Sequence, residues 1–326
     1  VVEFSMRIVQ SPVDLILDDL YVDLEPSFSK PLVLKCEGFN FAGSVKLKAA
    51  TAMVEAAEQD GRLRPGSVIV ESSSGNLGVA LAIVAAARGY QFVCVTDPRS
   101  NPASRRLIEA AGAHLVIITE PDSAGGFLGS RIRYVKESCE SNPDYVWLNQ
   151  YASENNWEAH YQTTAPAIDK HHDKLDYLFI GAGTTGTLMG CARYFKERRP
   201  DVRIIAVDSV GSVTFGAAPS PRYIPGLGTS RRPEILDASY VDEVILVPEA
   251  DTVRMCRELA RKGFLFGGST GTVVSAALNR LPAGTDAKAV AIAPDLADRY
   301  VDTLYNDVWV SESFGHSAIG PTPPPR

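Results

Sequence analysis

The stretch Tyr177-Leu178-Phe179-Ile180-Gly181-Ala182-Gly183-Thr184-Thr185-Gly186-Thr187 passes without a break from an apolar run to a turn of glycine and threonine. Helical spacing then continues to Arg198. A short apolar run that ends on glycine reads as a strand covered on both faces. The same plan occurs upstream, where Ser67-Val68-Ile69-Val70 runs into Glu71-Ser72-Ser73-Ser74-Gly75-Asn76-Leu77-Gly78 and an alanine-rich helix that Gly89 ends. Further strand-like runs at 92–96, 114–119, 145–148, 203–207, 244–247 and 289–293 alternate with helical patterns at 103–111, 127–138 and 251–261. Such alternation predicts an α/β fold of mostly parallel sheets with helices on both faces. Ligands in such folds occupy the crevice beyond the strands' carboxyl ends, where the Ser- and Gly-rich loops fall.

The chain has 326 residues, enough for two domains with a core each. Hydrophobic residues at 45% and charged residues at 22% are ordinary for a globular protein. A formal net charge of −7 argues against nucleic acid or an anionic membrane as partner. No apolar run reaches bilayer length and no signal peptide is read at the start, so a cytoplasmic protein is expected. Cys36, Cys94, Cys139, Cys191 and Cys256 lack metal-ligand spacing and sit among apolar neighbours, which reads as reduced, buried thiols. His171-His172-Asp173 lies in a polar stretch and reads as a solvated turn, so no metal is expected.

Three loops carry candidate chemistry. In Asn40-Phe41-Ala42-Gly43-Ser44-Val45-Lys46-Leu47-Lys48, Ser44 is the expected N-cap of a helix running to Gly61. Lys46 then falls in the first turn, where the helix dipole disfavours its ammonium and favours a nucleophilic amine. Residues Gly183, Thr184, Thr185, Gly186 and Thr187 offer successive N–H groups and hydroxyls at a helix start, which suits a phosphate or a plain tight turn. Ser73, Ser74, Gly75 and Asn76 offer a comparable seat for a carboxylate, or a capped helix start.

Gly43-Ser44-Val45-Lys46, Ser73-Ser74-Gly75-Asn76-Leu77-Gly78, Gly183-Thr184-Thr185-Gly186-Thr187 and Gly268-Ser269-Thr270-Gly271 resemble, in order and spacing, the motifs of the cysteine synthase and cystathionine β-synthase family. These are pyridoxal 5'-phosphate enzymes of fold type II, and the resemblance extends over 11–308. It implies two three-layer α/β/α domains with the cofactor in the cleft between them. The smaller N-terminal domain would span 35–146, the larger cofactor-binding domain 11–34 plus 147–308, and 309–326 would be a disordered tail. The resemblance gives Lys46 the role of Schiff-base lysine and base at Cα, Asn76 the cofactor's ring hydroxyl, and Gly183 to Thr187 the phosphate. Ser269 would face the pyridine nitrogen, and Ser73, Ser74, Gly75, Leu77 and Gln150 would hold the substrate carboxylate. A homodimer is implied as well.

Within that family, Glu120-Pro121-Asp122 with Gly125-Gly126 and Arg131 resemble the branch of N-(2-amino-2-carboxyethyl)-L-glutamate synthases. So do Asn149-Gln150-Tyr151-Ala152 with Asn156-Trp157, Gly211 to Gly216, and Pro225-Gly226-Leu227-Gly228. That branch implies O-phospho-L-serine as donor and L-glutamate as nucleophile, on the way to 2,3-diaminopropionate for antibiotics or siderophores. Anionic substrates need cationic partners, and Arg131 and Arg222 are the candidates, with Tyr151 as a third substrate residue. A cysteine synthase using O-phosphoserine or O-acetylserine with sulfide is the alternative.

Overall fold

The computed structural model describes residues 8–122, 126–282 and 284–319. Its strands are β1 (Tyr21–Asp23), β2 (Leu32–Cys36), β3 (Val68–Ser72), β4 (Gln91–Thr96), β5 (His114–Ile117), β6 (Tyr145–Trp147), β7 (Tyr177–Gly181), β8 (Arg203–Ser209), β9 (Glu243–Val247) and β10 (Ala289–Ala293). The helices are α1 (Glu25–Phe28), α2 (Lys46–Gln59), α3 (Asn76–Arg88), α4 (Pro102–Ala110), α5 (Leu128–Ser141), α6 (Asn155–Gln162), α7 (Thr164–His171), α8 (Gly186–Arg198), α9 (Glu249–Arg261), α10 (Gly268–Arg280) and α11 (Asp307–Phe314).

Two sheets result, one ordered β1-β2-β10-β7-β8-β9 and the other β5-β4-β3-β6. β1 pairs antiparallel with β2, and the remaining strands pair in parallel. This is the mixed, mostly parallel α/β architecture that the alternating pattern predicts. Side chains alternate across each strand, so the central strands feed two cores. In the larger sheet Leu178, Ile180, Ile204 and Val290 pack with Ile168 of α7 and Leu188 and Met189 of α8. Their neighbours Phe179, Ile205 and Ala291 pack on the opposite side with Leu259 of α9 and Val273 and Ala277 of α10. In the smaller sheet Ile69 and Cys94 meet α2 and α3, while Val70 and Val95 meet Val135 of α5. Continuous apolar strands are therefore what both sheets require.

Several local expectations change. Val45, not Ser44, is the N-cap of α2, because Ser44 is drawn into an isolated antiparallel bridge with Asp295. Lys46 becomes the first helical residue. Ser269, Thr270 and Gly271 of the fourth motif belong to the first turn of α10. Lys35 and Cys36 complete β2 of the larger sheet, and Trp147 completes β6 of the smaller one. The expected tail from 309 is ordered as far as 319. Asn306 caps α11 by accepting from Val308 N and Trp309 N, and Trp309, Val310, Phe314 and Ala318 pack with Ile224, Val253, Tyr300 and Leu304. Those apolar side chains have a core to join, which the short pattern alone does not reveal. Gly125 and residues 320–326 lie outside the described residues.

Candidate active site

The carboxyl ends of β3, β7 and β10 open on one cavity, and most of the residues singled out from the sequence line it: Lys46, Ser73, Ser74, Gly75, Asn76, Leu77, Arg131, Gln150, Tyr151, Gly183, Thr184, Thr187 and Ser269. Thr185, Gly186 and Arg222 do not reach its wall. Lys46 projects from the start of α2. Removal from water pushes its ammonium below the usual lysine range, and Asp295 pulls weakly the other way. Among the described residues Lys46 enters no ion pair, so its amine is kept available rather than neutralised by a partner.

Ser73 closes the turn into α3. Its hydroxyl accepts from Gly78 N at 2.9 Å and Gly75 N at 3.3 Å, satisfying N–H groups that a helix start leaves free. Gln150 sits opposite, its Nε2 donating to Ser72 O at 2.9 Å. The backbone that carries it is pinned by the buried carboxylate of Glu71, which accepts from Gln150 N at 3.3 Å and from Trp147 Nε1 at 3.1 Å. Arg131 reaches in from α5. It is 7% exposed and its NH1 lies 3.3 Å from Asp97 Oδ2, yet neither Nε nor NH1 has a hydrogen-bond partner.

Residues 183–187 lead into the first turn of α8, and Gly183, Thr184 and Thr187 line the cavity, so the positive end of the helix dipole lies beside it. Asn156 ties this turn to the Gln150 segment, its Nδ2 donating to Gln150 O at 2.7 Å and Thr184 Oγ1 at 3.2 Å. Across the cavity Gly226 adopts φ +114, and a Cβ there would come 2.4 Å from Ser269 Oγ. Glycine is thus the residue that lets the 225–229 segment lie against Ser269. Arg222 supports the same segment from behind, NH1 donating to Leu227 O at 3.0 Å.

The sequence reading passes over Asp295, Arg299 and Tyr300. Asp295 is fully buried at the end of β10, and Asn76 Nδ2 and Tyr300 OH both donate to its Oδ2, at 2.8 Å and 2.5 Å. Burial raises its carboxyl above the usual range. Arg299 donates to Asn76 Oδ1 and to Ala42 O, bridging the two sides of the cleft. Asn101, the N-cap of α4, completes that side by donating to Arg299 O. Their one signal in the sequence is position, since all follow the carboxyl end of a strand. Among the described residues no Asp or Glu lines the cavity, whereas Lys46, Arg131 and Arg299 do.

Residues 22–295 match the family described as "Pyridoxal-phosphate dependent enzyme". The N-(2-amino-2-carboxyethyl)-L-glutamate synthase of Ralstonia nicotianae is 41% identical over 290 residues, covering 88% of this chain and 86% of that protein. Among solved structures, a mutant O-ureido-L-serine synthase with O-ureido-L-serine bound superposes with a TM-score of 0.84 at 30% identity, covering 94% of this chain and 98% of that one. The O-acetylserine-dependent cystathionine β-synthase of Helicobacter pylori gives 0.82 at 31%, covering 91% and 99%.

The cavity suits the cofactor those matches imply. Buried polar atoms without partners gather at it or beside it: Ser72 Oγ, Thr185 Oγ1, and Arg131 Nε and NH1. A helix start with hydroxyls fits a phosphate, and an unpaired lysine with a lowered pKa fits an aldehyde. Ser269 brings a neutral hydroxyl to the same wall, which fits a pyridine nitrogen without a carboxylate partner. The chain belongs to the pyridoxal-phosphate-dependent enzymes, and pyridoxal 5'-phosphate is its cofactor.

Proposed function

We propose that the enzyme replaces the phosphate of O-phospho-L-serine with the amine of L-glutamate, giving N-(2-amino-2-carboxyethyl)-L-glutamate and inorganic phosphate. The Cβ–O bond of the donor breaks, the Cβ–N bond forms, and the amine gives up one proton. The observation that carries this reading is the charge of the cavity wall: among the described residues two arginines, Arg131 and Arg299, line it beside Lys46 and no carboxylate does, in a chain whose net charge is −7. A phosphorylated donor and a dicarboxylate nucleophile are the guests that such a wall recruits. The likeness to the Ralstonia synthase supports the same substrates.

Bound pyridoxal phosphate supplies the electron sink that a departing Cα proton requires. Lys46 holds that cofactor, takes the Cα proton of the donor and later returns it; burial lowers its pKa and so favours the neutral amine that this role needs. The hydroxyls and N–H groups of Ser73, Ser74, Gly75 and Leu77, with the Gln150 amide, orient the donor's α-carboxylate. Asn76 meets the ring hydroxyl, residues 183–187 meet the phosphate of the cofactor, and Ser269 meets the ring nitrogen. Arg131, with unused N–H groups, holds the leaving phosphate or a glutamate carboxylate. Tyr151 stands beside Gln150 to align the incoming amino acid.

The test is a competition with pyridoxal phosphate, O-phospho-L-serine, L-glutamate and sulfide present together and products identified by mass. The glutamate adduct as main product bears the proposal out. Cysteine as main product makes the enzyme a cysteine synthase, and preference for O-acetylserine in parallel runs removes the phosphorylated donor.

A further inference from the structure

A hydrogen-bonded chain of side chains leads away from the cavity wall into the protein. Thr187 Oγ1 lies 3.2 Å from His160 Nε2, and His160 Nδ1 lies 3.0 Å from Thr164 Oγ1. Lys48 Nζ donates to Thr164 Oγ1 at 3.1 Å. Lys48 is in turn held by Glu37 at 2.9 Å and Asp18 at 2.5 Å. His160 and Thr164 are fully buried, and Lys48 is 5% exposed, so no water competes along this path. The chain joins α2, which carries Lys46, to the first turn of α8 through α6 and α7.

The direction of the chain follows from its far end. An ammonium has three donors and no acceptor, so Thr164 must accept from Lys48. The Thr164 hydroxyl proton then has His160 Nδ1 as its partner. That leaves the imidazole proton on Nε2, where it donates to Thr187 Oγ1. Thr187 thus has an oxygen already engaged and a proton left to give, and it lines the cavity. The opposite tautomer would leave the Thr164 proton without an acceptor inside the protein, which burial penalises. Burial and the nearby Lys48, Lys46 and Lys35 keep the ring neutral, as the chain requires.

We infer that His160 is a positioning residue that, through its tautomer, turns Thr187 into an obligatory donor toward the cofactor's phosphate. The inference rests on the placement of that phosphate at residues 183–187. Lys48 fixes the polarity without approaching the cavity, which gives a second lysine of α2 a task separate from that of Lys46.

The test compares pyridoxal phosphate with pyridoxal, which lacks the phosphate, for binding to the full chain stripped of cofactor. His160→Phe should weaken pyridoxal phosphate roughly 10-fold, the effect of losing one oriented hydrogen bond to a charged group, and leave pyridoxal nearly unchanged. His160→Gln, which keeps a donor and an acceptor, should recover part of the loss, and Thr164→Val, which cuts the chain one link earlier, should lose affinity in the same phosphate-specific way. Thr187→Val should match His160→Phe, and the double variant should be no worse than either alone. Equal losses for both ligands, or none, in the His160 and Thr164 variants overturn the inference. If Thr187→Val alone loses phosphate-specific affinity, His160 is excluded while the phosphate site stands. If Thr187→Val shows no such loss, the phosphate placement fails and the inference with it.

Discussion

Asn76 and Asp295 are hydrogen-bonded across the cleft, Nδ2 to Oδ2 at 2.8 Å, one at the start of α3 beside the smaller sheet and the other at the end of β10 in the larger. Arg299 donates to Asn76 Oδ1, so the amide is gripped at both ends and its orientation is fixed. The second hydrogen of Nδ2 is the one left for the cavity. Tyr300 OH shares the Asp295 oxygen at 2.5 Å, which joins Asn76, Asp295, Arg299 and Tyr300 into one unit.

Asp295→Ala should therefore act on stability and on Lys46 together. It strips the acceptor from the buried Tyr300 hydroxyl, worth about 1–3 kcal/mol when left unsatisfied, and from the half-buried Asn76 amide. It also removes the one charge that favours the Lys46 ammonium. The urea midpoint should fall, and the acid limb of cofactor uptake should shift to lower pH, because the amine stays neutral further down. An unchanged acid limb, followed by absorbance at a series of pH values, would separate Asp295 from Lys46.

Glu71 predicts a pH dependence of the opposite kind. Burial raises its carboxyl from 4.5 to about 7, even though Trp147, Ser72 and Gln150 donate to it. Between those values the native protein binds a proton that the unfolded chain has released, so stability is greatest at the acid end and is lost as pH rises through about 7. The shift corresponds to roughly 3 kcal/mol, and Glu71→Gln should remove that slope. Trp147 Nε1 donates to the same carboxylate at 3.1 Å, so tryptophan emission should titrate near 7 in the native protein and lose that transition in the variant.

How much of this was legible beforehand depends on how local each feature is. Strands β3, β4, β7, β8 and β10 follow from unbroken apolar runs. Gly89, at φ +76, stops α3 where the pattern says it should. The Ser- and Gly-rich loops converge because parallel strands put all their carboxyl ends on one side. Asp295 and Arg299 escape such a reading. Their partner Asn76 is more than two hundred residues away and follows a strand of the other sheet, so only the packing of the two sheets around the cleft brings the end of β10 beside it. Arg222 shows the reverse: it adjoins a Gly-rich segment in sequence, but its guanidinium turns to Leu227 O behind that segment. Residues 307–318 look tail-like because half of their core lies on α9 and on 300–304.

Gly190 should resist the usual gain from alanine in a helix. It lies within α8, where the change normally favours the helix by about 1 kcal/mol. A Cβ there would meet Trp157 O at 2.3 Å and Tyr161 N at 2.7 Å, both backbone atoms of α6 that cannot rotate away. Overpacking costs about 1–3 kcal/mol and more against backbone, so Gly190→Ala should lower the urea midpoint without changing the slope. A midpoint at or above that of the parent would mean that α6 and α8 separate more easily than their contact implies.

Thr185 should set stability against cofactor retention. It holds φ +68 at the N-cap of α8, a left-handed conformation that costs a β-branched residue about 1–2 kcal/mol. Its hydroxyl is buried without a partner next to the expected phosphate. Strain and an orphan hydroxyl at one position are the marks of a residue kept for a ligand rather than for the fold. Thr185→Gly relieves both, and after the entropy that glycine adds to the unfolded chain, about 0.5–1 kcal/mol, the cofactor-free protein should still unfold at slightly higher urea. The extra stability gained on adding pyridoxal phosphate should shrink. Thr185→Ser separates the two effects, because it keeps the hydroxyl while shedding the β-branch methyl: its cofactor-linked gain should stay near that of the parent. If serine and glycine lose that gain alike, the strain of Thr185 has nothing to do with the hydroxyl and the phosphate draws its donors from Thr184, Thr187 and the helix backbone alone.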